Sequence, residues 1–399
     1  MNISLKSFQI KNFKAIRDSK TIKFEPLTVF IGNNGSGKSS VIEALSTYQM
    51  IVRDGLDEAM NYWRGFEHIR NQAVRHNKRE SGVKRPHEEN PIEFMIRWKN
   101  YFHEMTVNQD TSGNELFIQK EILNRSSPKT VFTREDNGEF FTKENQNQKE
   151  NLHLMEKIKG NCLDDESLIS KFAVREKFKQ GDIFTNILNW QFINLNPHLM
   201  FLPKPRKRTN KHISLASDGS NIAEYILNIY NLDKNVFNGI VETLQYILPY
   251  ARDLQPYVTS ELERNVYLQL TENDFKIPTW LLSTGTLRIL ALLAVLRHPQ
   301  PAPLIVIEEI ENGLDPRSIH LIVDEIRSLV ETGTSQIIIT THSPYLLDLL
   351  TLSQIIFVER DETGQPTFNR PADQESLQEW SKKFGPGKLY TMDRLSQKG

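Results

Sequence analysis

The segment Gly32-Asn33-Asn34-Gly35-Ser36-Gly37-Lys38-Ser39 constrains the fold more than any other part of the chain. An apolar run, 27–31, precedes it, and apolar residues with helical spacing follow it over 41–45. This order of strand, glycine-rich loop and helix is the pattern of a P-loop. Backbone N–H groups of such a loop, together with the helix N-terminus, bind phosphates. We therefore expect Lys38 to reach the β- and γ-phosphates of a nucleotide and the Ser39 hydroxyl to hold Mg²⁺. The alternative is a chance match, which the flanking strand and helix disfavour.

Composition limits the class of protein. The chain has 399 residues, 38% of them hydrophobic and 25% charged, with a formal net charge of -1. This is typical of a globular protein with two or three domains, or with one core and a large insertion. The single cysteine, Cys162, excludes an internal disulfide and a multi-cysteine zinc site, which favours a reducing cytoplasm. The near-zero charge argues against a generally basic nucleic-acid binder, and we expect neither a signal peptide nor a membrane span.

Two later segments predict the other half of a phosphate site. The apolar strand 303–307 ends in Glu308 and Glu309, and a buried parallel strand brings its last residues to the ligand-binding edge of a sheet. One carboxylate can orient the Mg²⁺ shell there, and the other can polarise an attacking water. A further strand, 336–340, which we expect to be the last, leads to His342. A ring nitrogen at that place can touch a γ-phosphate; the alternative is a purely structural histidine.

The middle of the chain has a different pattern. Alternating apolar residues predict antiparallel strands near 92–98, 102–107 and 116–122, and helical spacing returns over 168–190 and 222–246. We therefore expect one discontinuous domain from 1–75 and 276–365, an inserted α+β lobe from 76–275, and a C-terminal tail, 366–399.

Two basic segments interrupt this pattern. The first lies within 70–89, and the second begins at Lys204 and includes Arg206, Lys207 and Arg208. Both are typical of solvated loops, and contact with the phosphate backbone of a nucleic acid is the alternative.

The order of these motifs resembles the ATP-binding-cassette ATPase superfamily, in its RecF, SMC and OLD-like branch. The resemblance is carried by the P-loop, Leu282-Ser283-Thr284-Gly285-Thr286, the acidic strand end, Asn312-Gly313-Leu314-Asp315-Pro316 and Thr341-His342-Ser343-Pro344. Asn12-Phe13-Lys14 after the first predicted strand also fits this branch. The chain is most similar to the bacterial RecF-like predicted ATPases, of the AAA_21 kind. This implies an α/β fold, a P-loop NTPase of ABC-ATPase head type, with a mixed sheet, an antiparallel flank and a large α+β insertion.

The resemblance also implies roles for individual residues. Those expected to bind the nucleotide phosphates and Mg²⁺ are Asn33, Asn34, Gly35, Ser36, Gly37, Lys38, Ser39 and Ser40. Glu308 takes the Walker B position and, with Ser39, would hold the metal, while Glu309 takes the position of the catalytic base. The remaining counterparts are His342 as the switch histidine, Ser283 and Gly285 as contacts to the γ-phosphate of the opposite protomer, and Asp315 in the turn that crosses the dimer interface. Lys38, Glu309 and His342 are the expected catalytic residues.

Three departures from the family pattern bear on these roles. Glu308 is longer than the usual aspartate, so its contact with Mg²⁺ is expected through water. In the segment 282–286, which corresponds to the signature motif of the family, Thr284 and Thr286 replace the usual glycine and glutamine. This change is expected to weaken the contact of the motif with the opposite protomer's nucleotide. The glutamine that couples Mg²⁺ to the other lobe cannot be placed in this sequence.

The implied function is hydrolysis of ATP with Mg²⁺ by a homodimer, in DNA repair or anti-phage defence in the cytoplasm. The candidate partners are an effector protein, a nuclease subunit and DNA. Binding to a membrane is not expected. The stretch after His342 is too short for a TOPRIM nuclease domain, so we expect no intrinsic cleavage of DNA. The alternative is a nucleotide-gated scaffold with little turnover that controls a partner effector. The motor of a membrane transporter is disfavoured by the large insertion.

Overall fold

The computed structural model describes residues 3–72, 90–109, 115–125, 129–134, 140–142, 166–173, 181–205, 213–260 and 264–395. In chain order the strands are β1 (Leu5–Phe13), β2 (Ile16–Asp18), β3 (Ile22–Lys23), β4 (Leu27–Ile31), β5 (Ile92–Trp98), β6 (Tyr101–Gln109), β7 (Leu116–Arg125), β8 (Lys129–Arg134), β9 (Phe140–Thr142), β10 (Gln191–Ile193), β11 (Lys204–Pro205), β12 (Ala251–Val258), β13 (Asn265–Glu272), β14 (Phe275–Pro278), β15 (Leu304–Ile307), β16 (Gln336–Thr341), β17 (Ile355–Arg360) and β18 (Pro366–Asn369). The α-helices are α1 (Lys38–Asp54), α2 (Leu56–Tyr62), α3 (Phe66–Ile69), α4 (Leu168–Ala173), α5 (Gly181–Leu188), α6 (Pro197–Met200), α7 (Ile222–Leu232), α8 (Lys234–Ile247), α9 (Thr284–Leu296), α10 (Pro316–Glu331), α11 (Pro344–Asp348), α12 (Glu375–Ser381) and α13 (Pro386–Thr391).

A sheet in the order β10, β15, β16, β4, β17, β18 positions the P-loop. Its neighbouring strands run parallel except for β17 and β18. Every residue of β4 is buried, as the apolar composition of a parallel strand covered on both faces predicts. Parallel strands end at the same edge of a sheet, so the segments that follow β4, β15 and β16 meet there.

Helices cover both faces of this sheet. The side chains of Phe30 and Val306 join a hydrophobic cluster that includes α1. Those of Val29 and Ile307, on the opposite face, pack in a second cluster with α9 and α10. The alternation along each strand thus places one layer of helices on each side. The predicted α/β fold with a mixed sheet is confirmed.

A second, antiparallel sheet has the order β2, β1, β5, β6, β7, β8, β9, and β3 pairs with β1. Strands β5 to β9 lie within 76–275, the predicted inserted lobe. Within this sheet β5 pairs directly with β1, with Phe8 opposite Ile96. Likewise β10 joins the core sheet beside β15. Sequence periodicity identifies such strands but not their partners, because the pairing depends on contacts between distant parts of the chain.

A third sheet, with β11, β13 and β12 in order and β14 beside β13, packs against α7 and α8. This unit is the part of 76–275 whose strands join neither of the larger sheets. It leads through Thr279–Leu281, a 3₁₀ turn, to Ser283 and α9. Where a separately folding domain begins and ends stays a prediction.

The C-terminal part of the chain continues the core sheet. The expectation that 336–340 is the last strand is wrong, because β17 lies parallel to β4 and β18 pairs with β17. The predicted tail, 366–399, starts inside this hairpin, where Pro366 pairs with Arg360. The turn between the two strands is built by Asp361, whose Oδ1 accepts the N–H groups of Thr363 and Gln365 at 2.8 and 2.9 Å.

The start of β1 is also joined to the start of β16. The side chain of Gln336 accepts the N–H of Leu5 and donates to its carbonyl, both at 2.9 Å, and it donates to Glu25 O at 3.0 Å. The amide of Gln336 is buried and so needs these partners. It fastens the start of the antiparallel sheet to the core sheet.

Candidate nucleotide-binding site

The loop between β4 and α1 has the backbone that its glycines predict. Gly35 and Gly37 have φ angles of 73° and 116°, in the left-handed region that L side chains rarely adopt. Gly37 is the N-cap of α1, and among the described residues no side chain caps this helix start. The first N–H groups of the helix are therefore available to an anion.

A cavity of about 280 Å³ opens beside this loop. It is lined by Asn34, Gly35, Gly37, Lys38, Ser39, Ser40, Glu309, Thr340, His342 and Arg360. Residues after three different strand ends thus converge on one space, as the sequence predicts for the P-loop, Glu309 and His342. Of the other expected phosphate-binding residues, Asn33 and Ser36 do not line the cavity. The Ser36 hydroxyl is buried and has no hydrogen-bond partner among the described residues.

Lys38 is buried at the base of the loop. Its Nζ donates to Gly32 O at 2.7 Å and to Asn33 O at 3.0 Å. Burial lowers the pKa of Lys38, while the charges of Glu309 and Glu311 oppose that shift. The ammonium is thus held by neutral carbonyls close to acidic groups, and a phosphate would supply a full countercharge.

Glu308 lies beside Ser39, the residue with which it is expected to hold Mg²⁺. Burial raises the pKa of Glu308, and the carboxylates of Glu43 and Glu309 act in the same direction. A hydrogen bond from the Ser39 hydroxyl and the charge of Lys14 oppose this. A half-buried carboxylate near other acids and a hydroxyl fits a hard cation that prefers oxygen ligands. No group of three or more His, Cys, Asp or Glu in the described ranges is arranged to hold a metal ion, so a phosphate and water would have to complete the shell.

We expect Glu308→Gln to raise the unfolding temperature of the nucleotide-free protein at about pH 7. Because the pKa of Glu308 is raised in the folded state, ionisation of this carboxyl costs stability at every pH above that raised pKa. As the pH falls towards the ordinary value of 4.5, the wild type becomes protonated and its difference from the variant disappears. Thermal unfolding from about pH 4 to about pH 8 measures this. Glu362→Gln, at an exposed position, is the control, and a Glu308 variant less stable than the wild type at pH 7 contradicts the assignment.

Glu309 extends into the cavity from an unusual backbone conformation. Its φ is 46°, which is uncommon for a residue with a side chain and is held by surrounding contacts. The N–H of Glu309 donates to Thr340 Oγ1 at 2.9 Å, and its Oε2 accepts from Asn312 Nδ2 at 2.5 Å. The carboxylate is thus fixed in direction while its residue stays exposed.

His342 is linked to an acid that the sequence analysis did not single out. The backbone N–H of His342 donates to Glu311 Oε1 at 2.5 Å. The other oxygen, Oε2, is buried and has no hydrogen-bond partner in the described part of the chain. Glu311 is the third acid in Glu308-Glu309-Ile310-Glu311, and this spacing was the one signal that pointed to it. Thr340 and Arg360 were also missed.

The residues expected to face the opposite protomer do not line this cavity. Ser283 Oγ caps α9 by accepting the N–H of Thr286 at 3.0 Å, and it lies 2.7 Å from Thr286 Oγ1. A side chain at Gly285 would meet Gly313 O at 2.9 Å, so the turn that contains Ser283 and Gly285 packs against the turn before α10.

Asp315 lies at the start of α10. Its carboxylate caps this helix by accepting N–H groups of Arg317 and Ser318 at 2.9 and 3.2 Å. The hydrogen bond from the Ser318 hydroxyl is the main cause that lowers the pKa of Asp315.

The basic segments contribute little to the described structure. Residues 73–89 and 206–212 lie outside the described residues, and so do most of the charges predicted as an alternative nucleic-acid contact. Lys204 is described: it pairs with Val266 at the edge of the third sheet, and its charge helps to lower the pKa of Asp218.

Comparison with known proteins adds a family match. A family model described as "AAA domain, putative AbiEii toxin, Type IV TA system" matches residues 27–348. No curated protein sequence matches the chain. No helix within the described ranges combines the length and the apolar composition that crossing a lipid bilayer requires.

Solved structures similar to this chain include SMC head domains. The SmcHead bound to the C-winged helix domain of ScpA is 13% identical, with a TM-score of 0.46 over 92% of this chain and 97% of that chain. The Smc head domain with an extended coiled coil bound to the C-terminal domain of ScpA, derived from Pyrococcus furiosus, is 12% identical, with a TM-score of 0.47 over 95% and 99% of the two chains. The SMC head domain from Thermotoga maritima is 13% identical, with a TM-score of 0.36 over 92% and 99%.

Proposed function

Because the chain belongs to the family described as AAA domain, putative AbiEii toxin, Type IV TA system, we propose that it binds ATP with Mg²⁺ in the P-loop cavity and hydrolyses it to ADP and phosphate. The family match covers residues 27–348 and bears out the resemblance to AAA_21-type ATPases. The observation that carries the proposal is the convergence of Lys38, Glu309 and His342, from three separate strand ends, on one cavity beside the start of α1.

The chain's own residues supply positioning and charge, which are the main requirements of phosphoryl transfer. The N–H groups at the start of α1 and the Lys38 ammonium bind the phosphates. Ser39 and Glu308 would hold Mg²⁺, which neutralises charge on the phosphate oxygens when it is bound. His342, which follows β16 and lines the cavity, would donate from its ring to the terminal phosphate.

Glu309 is the proposed general base. Its carboxylate takes a proton from the attacking water as the water oxygen bonds to the γ-phosphorus, and the bond to the leaving ADP oxygen breaks. Asn312 orients this carboxylate through its Nδ2 at 2.5 Å, and Thr340 Oγ1 fixes the backbone of Glu309 by accepting its N–H at 2.9 Å. The strained φ of Glu309 is consistent with a residue held for such a task.

A homodimer is part of the proposal. Ser283 is exposed, and Ser283, Gly285 and Asp315 lie away from their own protomer's cavity, so these residues would reach a nucleotide only across an interface. In such a pair each ATP would lie between one protomer's P-loop and its partner's Ser283 turn. Hydrolysis would remove the γ-phosphate that joins the two.

The biological setting rests on analogy alone. DNA repair or anti-phage defence in the cytoplasm is proposed, with DNA, an effector protein or a nuclease subunit as the partner. The description of the family names a putative AbiEii toxin and a Type IV TA system.

The second candidate is a nucleotide-gated scaffold with little turnover. Ser283 Oγ is already engaged by the N–H and hydroxyl of Thr286, a residue that departs from the family pattern. A serine occupied as a helix cap gives a weaker contact to a partner's γ-phosphate. In this version ATP would close the dimer, and a surface of the 76–275 region would then bind the effector.

Steady-state ATP turnover and mass in solution separate the two candidates. We expect the purified full chain to hydrolyse ATP only with Mg²⁺ and to double in mass with ATP but not with ADP. Double-stranded DNA is added in a parallel series, since stimulation would identify the partner class. An ATP-dependent dimer without turnover favours the scaffold, whereas neither turnover nor ATP binding contradicts both.

A further inference from the structure

The hairpin β17–β18 packs directly on the P-loop. A side chain at Gly32 would lie 2.0 Å from Val358 O, which is far inside contact distance. At the other end of the loop, a side chain at Gly37 would lie 2.7 Å from Pro366 Cγ. The absence of side chains at these two positions therefore serves the packing of the hairpin as well as the turn of the loop.

Arg360, the last residue of β17, lies between these two contacts. Its Nε donates to Gly35 O at 2.7 Å, and its Nη1 donates to Gly364 O at 2.8 Å. These two bonds fix the plane of the guanidinium. The remaining nitrogen, Nη2, has no hydrogen-bond partner among the described residues, and the side chain lines the cavity with Lys38 and Ser40.

Charge favours an anionic ligand for this nitrogen. Lys38 and Arg360 are the lysine and the arginine among the described residues that line the cavity, and Glu309 lies on the same wall. A nucleoside triphosphate has several negative charges, more than Lys38 alone can balance. A planar guanidinium is well suited to phosphate oxygens, and a fixed plane loses little entropy on binding.

We propose that Arg360 is a further nucleotide-binding residue, which contacts the polyphosphate through its unpaired Nη2 while its other nitrogens hold the P-loop. The inference rests on the proposed binding of ATP and extends it. It makes the C-terminal hairpin part of the nucleotide site, although 325 positions separate Gly35 from Arg360.

The test is equilibrium binding of Mg·ATP to the full chain and to its Arg360→Gln and Arg360→Lys variants. We expect Arg360→Gln to weaken binding about ten-fold at low salt, as for loss of a hydrogen bond to a charged group. The loss should shrink at high salt, because an ionic contact is screened. Arg360→Lys keeps the positive charge but not the planar guanidinium, and it should weaken binding less.

Arg17→Ala is the matched control. Arg17 is exposed, and its charge acts on Asp361 in the turn of the same hairpin, but it does not line the cavity. We expect this variant to bind Mg·ATP like the wild type.

Three outcomes overturn the inference. If Arg360→Gln binds Mg·ATP with an affinity within about two-fold of the wild type, Arg360 does not contact the polyphosphate. If both Arg360 variants lose the same Mg·ATP affinity and salt does not change that loss, Arg360 only supports the P-loop through its bond to Gly35. A wild type that does not bind Mg·ATP rejects the proposed function and this inference with it. Normal wild-type binding beside an unaffected Arg360→Gln variant rejects the inference alone.

Discussion

Glu309→Gln is expected to lower ATP turnover by about 10²- to 10⁴-fold, the usual contribution of a general base, while ATP still binds. Glutamine keeps the shape of the side chain and an oxygen that can accept from Asn312 Nδ2, which lies 2.5 Å from Oε2 in the wild type. It cannot take a proton from water. The site should therefore fill with ATP and stay filled, and the proposed dimer should persist.

Phosphate release, ATP binding and mass in solution are the three measurements for Glu309→Gln. Glu331→Gln, at the exposed end of α10, is the control for loss of one carboxylate. Turnover at the wild-type rate in the Glu309 variant would remove this residue from the role of base. A variant that binds ATP but stays monomeric would leave the base in place and contradict the dimer.

Lys38→Ala is expected to weaken ATP binding by about 100-fold, because a charged hydrogen-bond donor to the phosphates is lost. Its nucleotide-free fold should be retained. Burial already lowers the pKa of Lys38, so the ammonium is not favoured at this position without an anion, and the two carbonyls it contacts belong to the P-loop itself.

The loss of ATP binding is measured with Mg·ATP, and the retained fold is measured by thermal unfolding without nucleotide. Lys382→Ala, at the exposed residue that follows α12, is the matched control, since that lysine pairs with Glu379 of the preceding turn. Unchanged ATP binding in Lys38→Ala would contradict the P-loop assignment. A large fall in unfolding temperature without nucleotide would show instead that Lys38 mainly holds the loop together.

The P-loop, the acidic strand end and His342 were predictable because each is a short linear pattern at the end of a buried strand. The rule that parallel strands end at one edge then brings them together, and the cavity contains Lys38, Glu309 and His342. Asp315 is the N-cap of α10, which starts with proline, whereas the sequence analysis assigned it only a role at a dimer interface.

Other parts of the site were not predictable, for a common reason. Glu311 acts through a bond to the backbone of His342, 31 positions away, and Arg360 through a bond to Gly35. Neither contact has a local signal. The pairing of β5 with β1 is of the same kind, because no local pattern in either segment identifies its partner strand.

The position of β4 has a consequence for synthesis of the chain. Leu27 pairs with Ile337, and Val29 pairs with Ile355, so both neighbours of β4 in the sheet are translated roughly 300 residues after it. At about 5 to 20 residues per second, this apolar strand waits on the order of 15 to 60 s before it can be paired on either side. On the ribosome, the strand that leads into the P-loop is thus an exposed aggregation-prone segment, and its protection would fall to chaperones.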